Sequence, residues 1–203
     1  MVSLNRSIAL ILLAAGGSQR MGYPKQLLPV QGRSLLRYIA NRVCEAPGEA
    51  KFVVLGAYHE VLSLELIDLP LEILINDDWD LGMSSSLQTG IAALPNSIAA
   101  AMILLCDQPH VSVELIEQLI QQYQQTQAPI VACAYGETVG VPALFDRSLF
   151  GELQQLTADE GARSVIQAHR DRLVTIPFPQ GAIDLDTLED WEAFLMESPL
   201  EQA

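Results

Sequence analysis

The chain has 203 residues, half of them hydrophobic, with a net charge of −14. That length and apolar content suit one domain whose core needs no disulfide staples. The acidic balance excludes nucleic acid and anionic membranes as partners, because both bind basic surfaces.

In chain order, Ile8–Ala14 reads as a buried strand. Its apolar run is too short to span a bilayer, and it leads into glycines and basic residues without the logic of a signal-peptide cleavage site. Leu35, Leu36, Ile39 and Val43 recur at helical spacing. Phe52–Gly56 and Leu71–Ile75 read as strands, Leu87, Ile91 and Leu94 as a helical stripe, and Ala99–Leu105 as another strand. Leu115, Ile116, Leu119, Ile120 and Tyr123 predict a wide-faced helix, and Pro129–Ala132 resumes strand character. Helices near 147–156 and 160–169, a short strand at Leu173–Ile176 and a final helix from Thr187 complete the chain. Short apolar runs separated by helices predict a single α/β domain over residues 1–203, with a mostly parallel, Rossmann-like sheet flanked by helices. Ligands of such sheets bind beyond the carboxyl ends of the strands, here after Ala14, Ile75 and Leu105.

Cys44, Cys106 and Cys133 are odd in number and lack CxxC spacing, which predicts reduced thiols in a cytoplasmic protein. Charge is unevenly spread: residues 1–51 carry seven Lys/Arg against two Asp/Glu, and the rest four against 23. The clustered cations surround the first segment of interest, Leu12–Lys25 (LLAAGGSQRMGYPK). Small residues there let backbone N–H groups approach a phosphate chain, Arg20 offers a fork of donors, and Lys25 a mobile charge. Neither GxxxxGK[ST] nor GxGxxG fits, and a plain strand–helix turn accounts for the residues equally well.

In the second segment, Asn76–Gly90 (NDDWDLGMSSSLQTG), three serines open a predicted helix. Capping is the simple reading, and a GxSxG nucleophile elbow does not fit. In the third, Leu104–Pro109 (LLCDQP), Asp107 follows a strand directly. It reads either as a magnesium ligand or as a helix-cap or turn residue before Pro109. In the fourth, Ala182–Trp191, Asp184 and Asp186 face the same way if the chain is extended, and Thr187 with Asp190 fits a capping pattern. His59, His110 and His169 are scattered and make no transition-metal motif.

Together these segments resemble the MobA-like NTP transferase family, and within it the molybdenum cofactor cytidylyltransferases. LAAGGSQRMGYPKQLL is similar to LAAGxSxRMGxxKxLL. The second and third segments match further family motifs, while DLDTLEDW and TADEGAR match more loosely, with Leu188 in place of Pro and Ala158 in place of Gly. The resemblance implies a fold of the nucleotide-diphospho-sugar transferase type. It implies nucleotide contacts from Leu13, Ala14, Ala15 and Gly16, triphosphate contacts from Arg20 and Lys25, and Gly82 and Ser86 near the base. It further implies Mg2+ on Asp107 with Asp184 or Asp186, and an acceptor-phosphate contact from Arg163. The implied reaction moves CMP from CTP to the molybdopterin cofactor and releases pyrophosphate, with a molybdoenzyme or its chaperone as a further partner. Transfer from GTP or CTP to another phosphorylated acceptor such as a sugar phosphate, and a non-catalytic accessory protein for the cofactor, are the competing readings. Ala15 favours CTP, since its methyl group narrows the pocket where guanylyl relatives tend to carry Gly; a change of that size is worth about 1–3 kcal/mol.

Overall fold

The apolar run Ile8–Leu13 forms β1, and every one of its residues is buried. The computed structural model describes residues 6–158 and 160–197; Asp159 of the TADEGAR segment lies outside them. After β1 come β2 (Pro29–Val30), β3 (Arg33–Ser34), α1 (Leu35–Glu45), β4 (Ala50–Leu55), α2 (His59–Leu62), β5 (Glu72–Ile75) and α3 (Met83–Ala92). Then follow β6 (Ala100–Leu105), α4 (Val113–Thr126), β7 (Ile130–Tyr135), β8 (Thr138–Asp146), α5 (Phe150–Gln154), α6 (Ala162–Ala168), β9 (Leu173–Pro177) and α7 (Leu188–Glu197). Seven strands form one sheet in the order β5-β4-β1-β6-β8-β7-β9. β1 runs parallel to β4 and β6, and β4 to β5. β8 is antiparallel to both its neighbours.

Alternation along the strands sorts the core into two layers, because successive side chains leave opposite faces of a sheet. Leu10, Leu12, Met102 and Leu104 pack with Leu36 and Ile39 of α1 and Ile116 and Leu119 of α4. Ile11, Leu13, Ala101 and Ile103 pack with Leu87 and Ile91 of α3, Leu153 of α5 and Ile166 of α6. The helices on the first face begin on serine caps: Ser34 accepts from the Arg37 N–H, and Ser112 from that of Leu115. Among the described residues no helix is long and apolar enough to cross a membrane.

The predicted helices near 147–156 and 160–169 are shorter than expected. The first is a 3-10 turn at Arg147–Leu149 leading into α5, and the second is α6 alone. β8 was not legible in the pattern, since Gly140 and Pro142 read as breakers. The ladder accommodates them with an irregularity: Ala132 pairs with Ala143 but Cys133 with Gly140, so Val141 and Pro142 stand outside the register.

Candidate active site

The register of β1 against β6 builds the site. Leu13 lies beside Leu105, and the Cys106 N–H donates to the Leu13 carbonyl. The segments that leave these two strands therefore rise from one edge of the sheet. A cavity of about 510 Å3 lies over that edge, lined by Leu13, Ala14, Ala15, Gly16, Arg20, Lys25, Gly82, Ser86, Asp107, Asp184 and Asp186. Every site residue implied by the resemblance except Arg163 thus lines this one cavity. A Cβ built on Gly16 would touch nothing within 4 Å, so the loop's backbone faces open space.

Lys25 stands at the centre of the charges. Its Nζ donates to Asp107 Oδ2 at 2.6 Å and to Asp186 Oδ1 at 2.9 Å. Arg20 Nη2 reaches the other Asp186 oxygen at 2.9 Å. Burial disfavours the Lys25 ammonium, but Asp107 and Asp186 outweigh it and hold its pKa above the ordinary lysine value. Asp186 shows the converse: burial raises its pKa, yet Lys25 and Arg20 bring it below the usual carboxylate range. Asp184 has no such cation bond among the described residues. Burial, then Asp107 and Asp186, push it up to about 6. Asp107 Oδ1 is buried and has no hydrogen-bond partner among the described residues, an arrangement that a cation in the cavity would relieve. Among the described residues, no group of three or more His, Cys, Asp and Glu converges tightly enough to hold a metal ion by itself.

Asp107 lies in the turn that follows β6 and caps no helix, since α4 begins at Val113 on the cap Ser112. Thr187 and Asp190 cap α7 reciprocally: the Thr187 N–H donates to Asp190 Oδ2 at 2.8 Å, and the Asp190 N–H to Thr187 Oγ1 at 3.2 Å. Asp186 is thereby left to face the cavity. Asp184 and Asp186 both reach it, though not as an extended pair, because the Asp186 N–H folds back to the Asp184 carbonyl.

The three serines do not cap α3. Gly82, at φ 109°, occupies that position, and the serines lie inside the first turn. Buried Asn76 donates to Ser85 Oγ and Ser86 Oγ, both at 2.9 Å, while Ser84 donates to the Ala158 carbonyl. They tie the helix start to the end of β5 and to the loop before α6.

Three structural supports escaped the sequence reading. Gln26, 1% exposed, donates to the carbonyls of Ala14 and Gly16 and so fixes the loop between them. Trp79 packs over two glycines: a Cβ on Gly17 would stand 2.9 Å from its ring, and one on Gly56 2.4 Å from its Cβ. Met83 shapes the cavity's side wall. The one readable signal was Gln26, a polar residue directly before Leu27 and Leu28. Arg163 lies on an adjoining cavity, where its Nη2 is 3.4 Å from Thr138 Oγ1.

Comparison with known proteins agrees with this architecture. The chain is 35% identical over 117 residues to nicotine blue oxidoreductase of Paenarthrobacter nicotinovorans, covering 56% of each chain. It spans just over half of that relative and about a third of longer curated relatives. Among solved structures, a homologue of Rv0371c from Mycobacterium sp. strain JC1 superposes with a TM-score of 0.81 at 31% identity, over 93% of this chain and 95% of that one. Rv0371c of Mycobacterium tuberculosis H37Rv gives 0.81 at 25% identity, over 95% and 100% of the two chains, and has also been solved in complex with manganese. The MobA-like NTP transferase domain matches residues 10–173, and the chain belongs to that family.

Proposed function

We propose that the protein transfers CMP from CTP to a molybdopterin-type phosphorylated acceptor with release of pyrophosphate. The observation that carries this reading is the convergence of Arg20, Lys25, Asp107 and Asp186 with the open backbone at Gly16 on one cavity. Two cations and an open glycine backbone at Gly16 suit a polyphosphate, and the carboxylates suit the divalent ion that accompanies it.

The residues present fit a magnesium ion: Asp107 offers a buried oxygen without a hydrogen-bond partner among the described residues, and Asp186 or Asp184 a second carboxylate. Such an ion, when bound, offsets charge on the phosphate oxygens at the reacting phosphorus. The chain's own residues do the rest. Leu13–Gly16 hold the nucleotide through the backbone, with Gly82 and Ser86 beside the base. Arg20 and Lys25 stabilise the growing charge of the departing pyrophosphate. An acceptor phosphate oxygen attacks the α-phosphorus as the bond to pyrophosphate breaks. That oxygen is already largely ionised near neutral pH, with a second pKa of about 6, so the step needs no general base. Positioning is therefore the main contribution of the protein. Ala15, 5% exposed in the cavity wall, supports CTP over GTP.

The test is incubation with molybdopterin cofactor and each NTP, followed by mass spectrometry and pyrophosphate detection. A cytosine dinucleotide product supports the reading. Pyrophosphate release with GTP alone would move the specificity to guanylyl transfer. The relative named as an oxidoreductase supports a second reading, redox chemistry in the same cavity. Oxidation of NADH or NADPH by the purified protein, without nucleotidyl transfer, would favour it.

A further inference from the structure

Gln108 follows Asp107 directly, yet its side chain lies behind the cavity rather than in its lining and is 2% exposed. Its Nε2 donates to two main-chain carbonyls, those of Val141 and Gly181, each at 3.3 Å. Val141 stands outside the β7–β8 register, so its carbonyl is left to side chains, and the Tyr135 hydroxyl at 3.2 Å is the other donor. Gly181 belongs to the 3-10 turn Pro179–Ala182 that leads to Asp184. It fits closely: a Cβ there would stand 2.6 Å from the Phe178 ring and 2.7 Å from that of Tyr135. The amide cannot turn round, because its oxygen would then face two carbonyl oxygens. It keeps this orientation although Oε1 is buried with no hydrogen-bond partner among the described residues.

A second tie runs alongside. The Leu185 N–H donates to the Asp107 carbonyl at 2.9 Å, and Leu185 is wholly buried. The segment after β9 is therefore fastened to the end of β6 at two points, one on each side of Asp184. These ties work against charge. Lys25 bridges Asp107 and Asp186 and leaves Asp184 outside the bridge. Beyond its burial, Asp184 is repelled by Asp107 and Asp186. A small divalent ion tolerates little error in the placement of its oxygens, and groups behind a metal site set that placement.

We propose that Gln108 is a positioning residue: by latching Gly181 to the irregular stretch of β8, it holds Asp184 and Asp186 against Asp107 so that the two segments can share one divalent ion. The proposal rests on the metal-assisted transfer reading and adds the part that sets the metal's affinity. Mn2+ alone is titrated into the native protein, Gln108→Met and Tyr135→Phe, and the free ion is read by electron paramagnetic resonance. Methionine fills the space of glutamine without its donors. Tyr135→Phe removes the other donor to Val141 but leaves the latch on Gly181, so it measures what a purely structural loss does. Gln108→Met is expected to bind Mn2+ at least tenfold more weakly than the native protein, and Tyr135→Phe to lose less than tenfold. Should Gln108→Met fail to fold, Gln108→Asn takes its place with the same expectation, since it draws the amide back from both carbonyls by one methylene. A loss below tenfold in the folded Gln108 variant, or a tenfold loss in Tyr135→Phe as well, overturns the role of Gln108 while native binding keeps the metal. Absence of Mn2+ binding by the native protein overturns the proposal together with the metal part of the transfer reading.

Discussion

Replacing Lys25 by Met keeps most of the side-chain volume and removes the charge between Asp107 and Asp186. At separations of 2.6 and 2.9 Å and an effective dielectric of 20, each lost attraction is about 6 kcal/mol before solvation is counted. The net effect is much smaller, because the Lys25, Asp107 and Asp186 side chains keep 16%, 20% and 33% of their exposure and regain some hydration. There is also a ceiling: a stranded carboxylate can take up a proton, which at pH 7 costs about 4 kcal/mol. Arg20 still pairs with Asp186, which lowers the figure further. A loss of about 3 kcal/mol follows, or roughly 6–12 °C in melting temperature for a chain of this size. Thermal melts in EDTA measure it directly. Adding Mn2+ should then restore more stability to Lys25→Met than it adds to the native protein, since the variant's carboxylates have lost their internal cation. A variant that melts within 2 °C of the native protein and gains nothing extra from Mn2+ would refute the picture of Lys25 as the counter-ion of the site.

Asp107→Ala should abolish nearly all nucleotidyl transfer while the protein stays folded by circular dichroism; near-native turnover would remove Asp107 from the mechanism. Arg20→Ala should raise the KM for CTP and slow release of pyrophosphate, and unchanged kinetics would show that the loop does not hold the triphosphate. Gly56→Ala should cost about 2–3 kcal/mol in denaturant unfolding, because its Cβ would stand 2.4 Å from Trp79 Cβ and 2.8 Å from the Ala15 carbonyl oxygen; a neutral result would mean that Trp79 moves freely. Asp146 governs part of the acid limb of stability. Burial raises its pKa, but bonds from Ser148, Tyr123 and Arg6 outweigh that and hold it below the usual carboxylate value. A depressed folded pKa gives stability that is present above the unfolded value of about 4 and is lost as pH falls through the folded one. The melting-temperature gap between native protein and Asp146→Asn should therefore be widest near pH 7 and close towards pH 2.5; a gap constant with pH would contradict the assignment.

Much of this protein was legible in one dimension. The runs at Ile8–Leu13, Phe52–Leu55 and Ala100–Leu105 are apolar at consecutive positions because both faces of the sheet are covered, and such runs alone imply parallel strands under two layers of helices. The Gly-rich turn with Arg20 and Lys25, and Asp107 after a strand, were visible because strand ends are where such a sheet binds ligands. Which of these residues share a cavity was not visible, because it depends on partners far along the chain. Lys25 meets carboxylates 82 and 161 residues away, and only the pairing of Leu13 with Leu105 brings their loops together. β8 was hidden because Gly140 and Pro142 break a strand by local rules, and only a neighbouring strand with a shifted register can absorb them. Local pattern determined which segments form the sheet and its edge. Long-range registry decided which charges share a cavity, because electrostatics and hydrogen bonds act over a few ångströms of space regardless of distance along the chain.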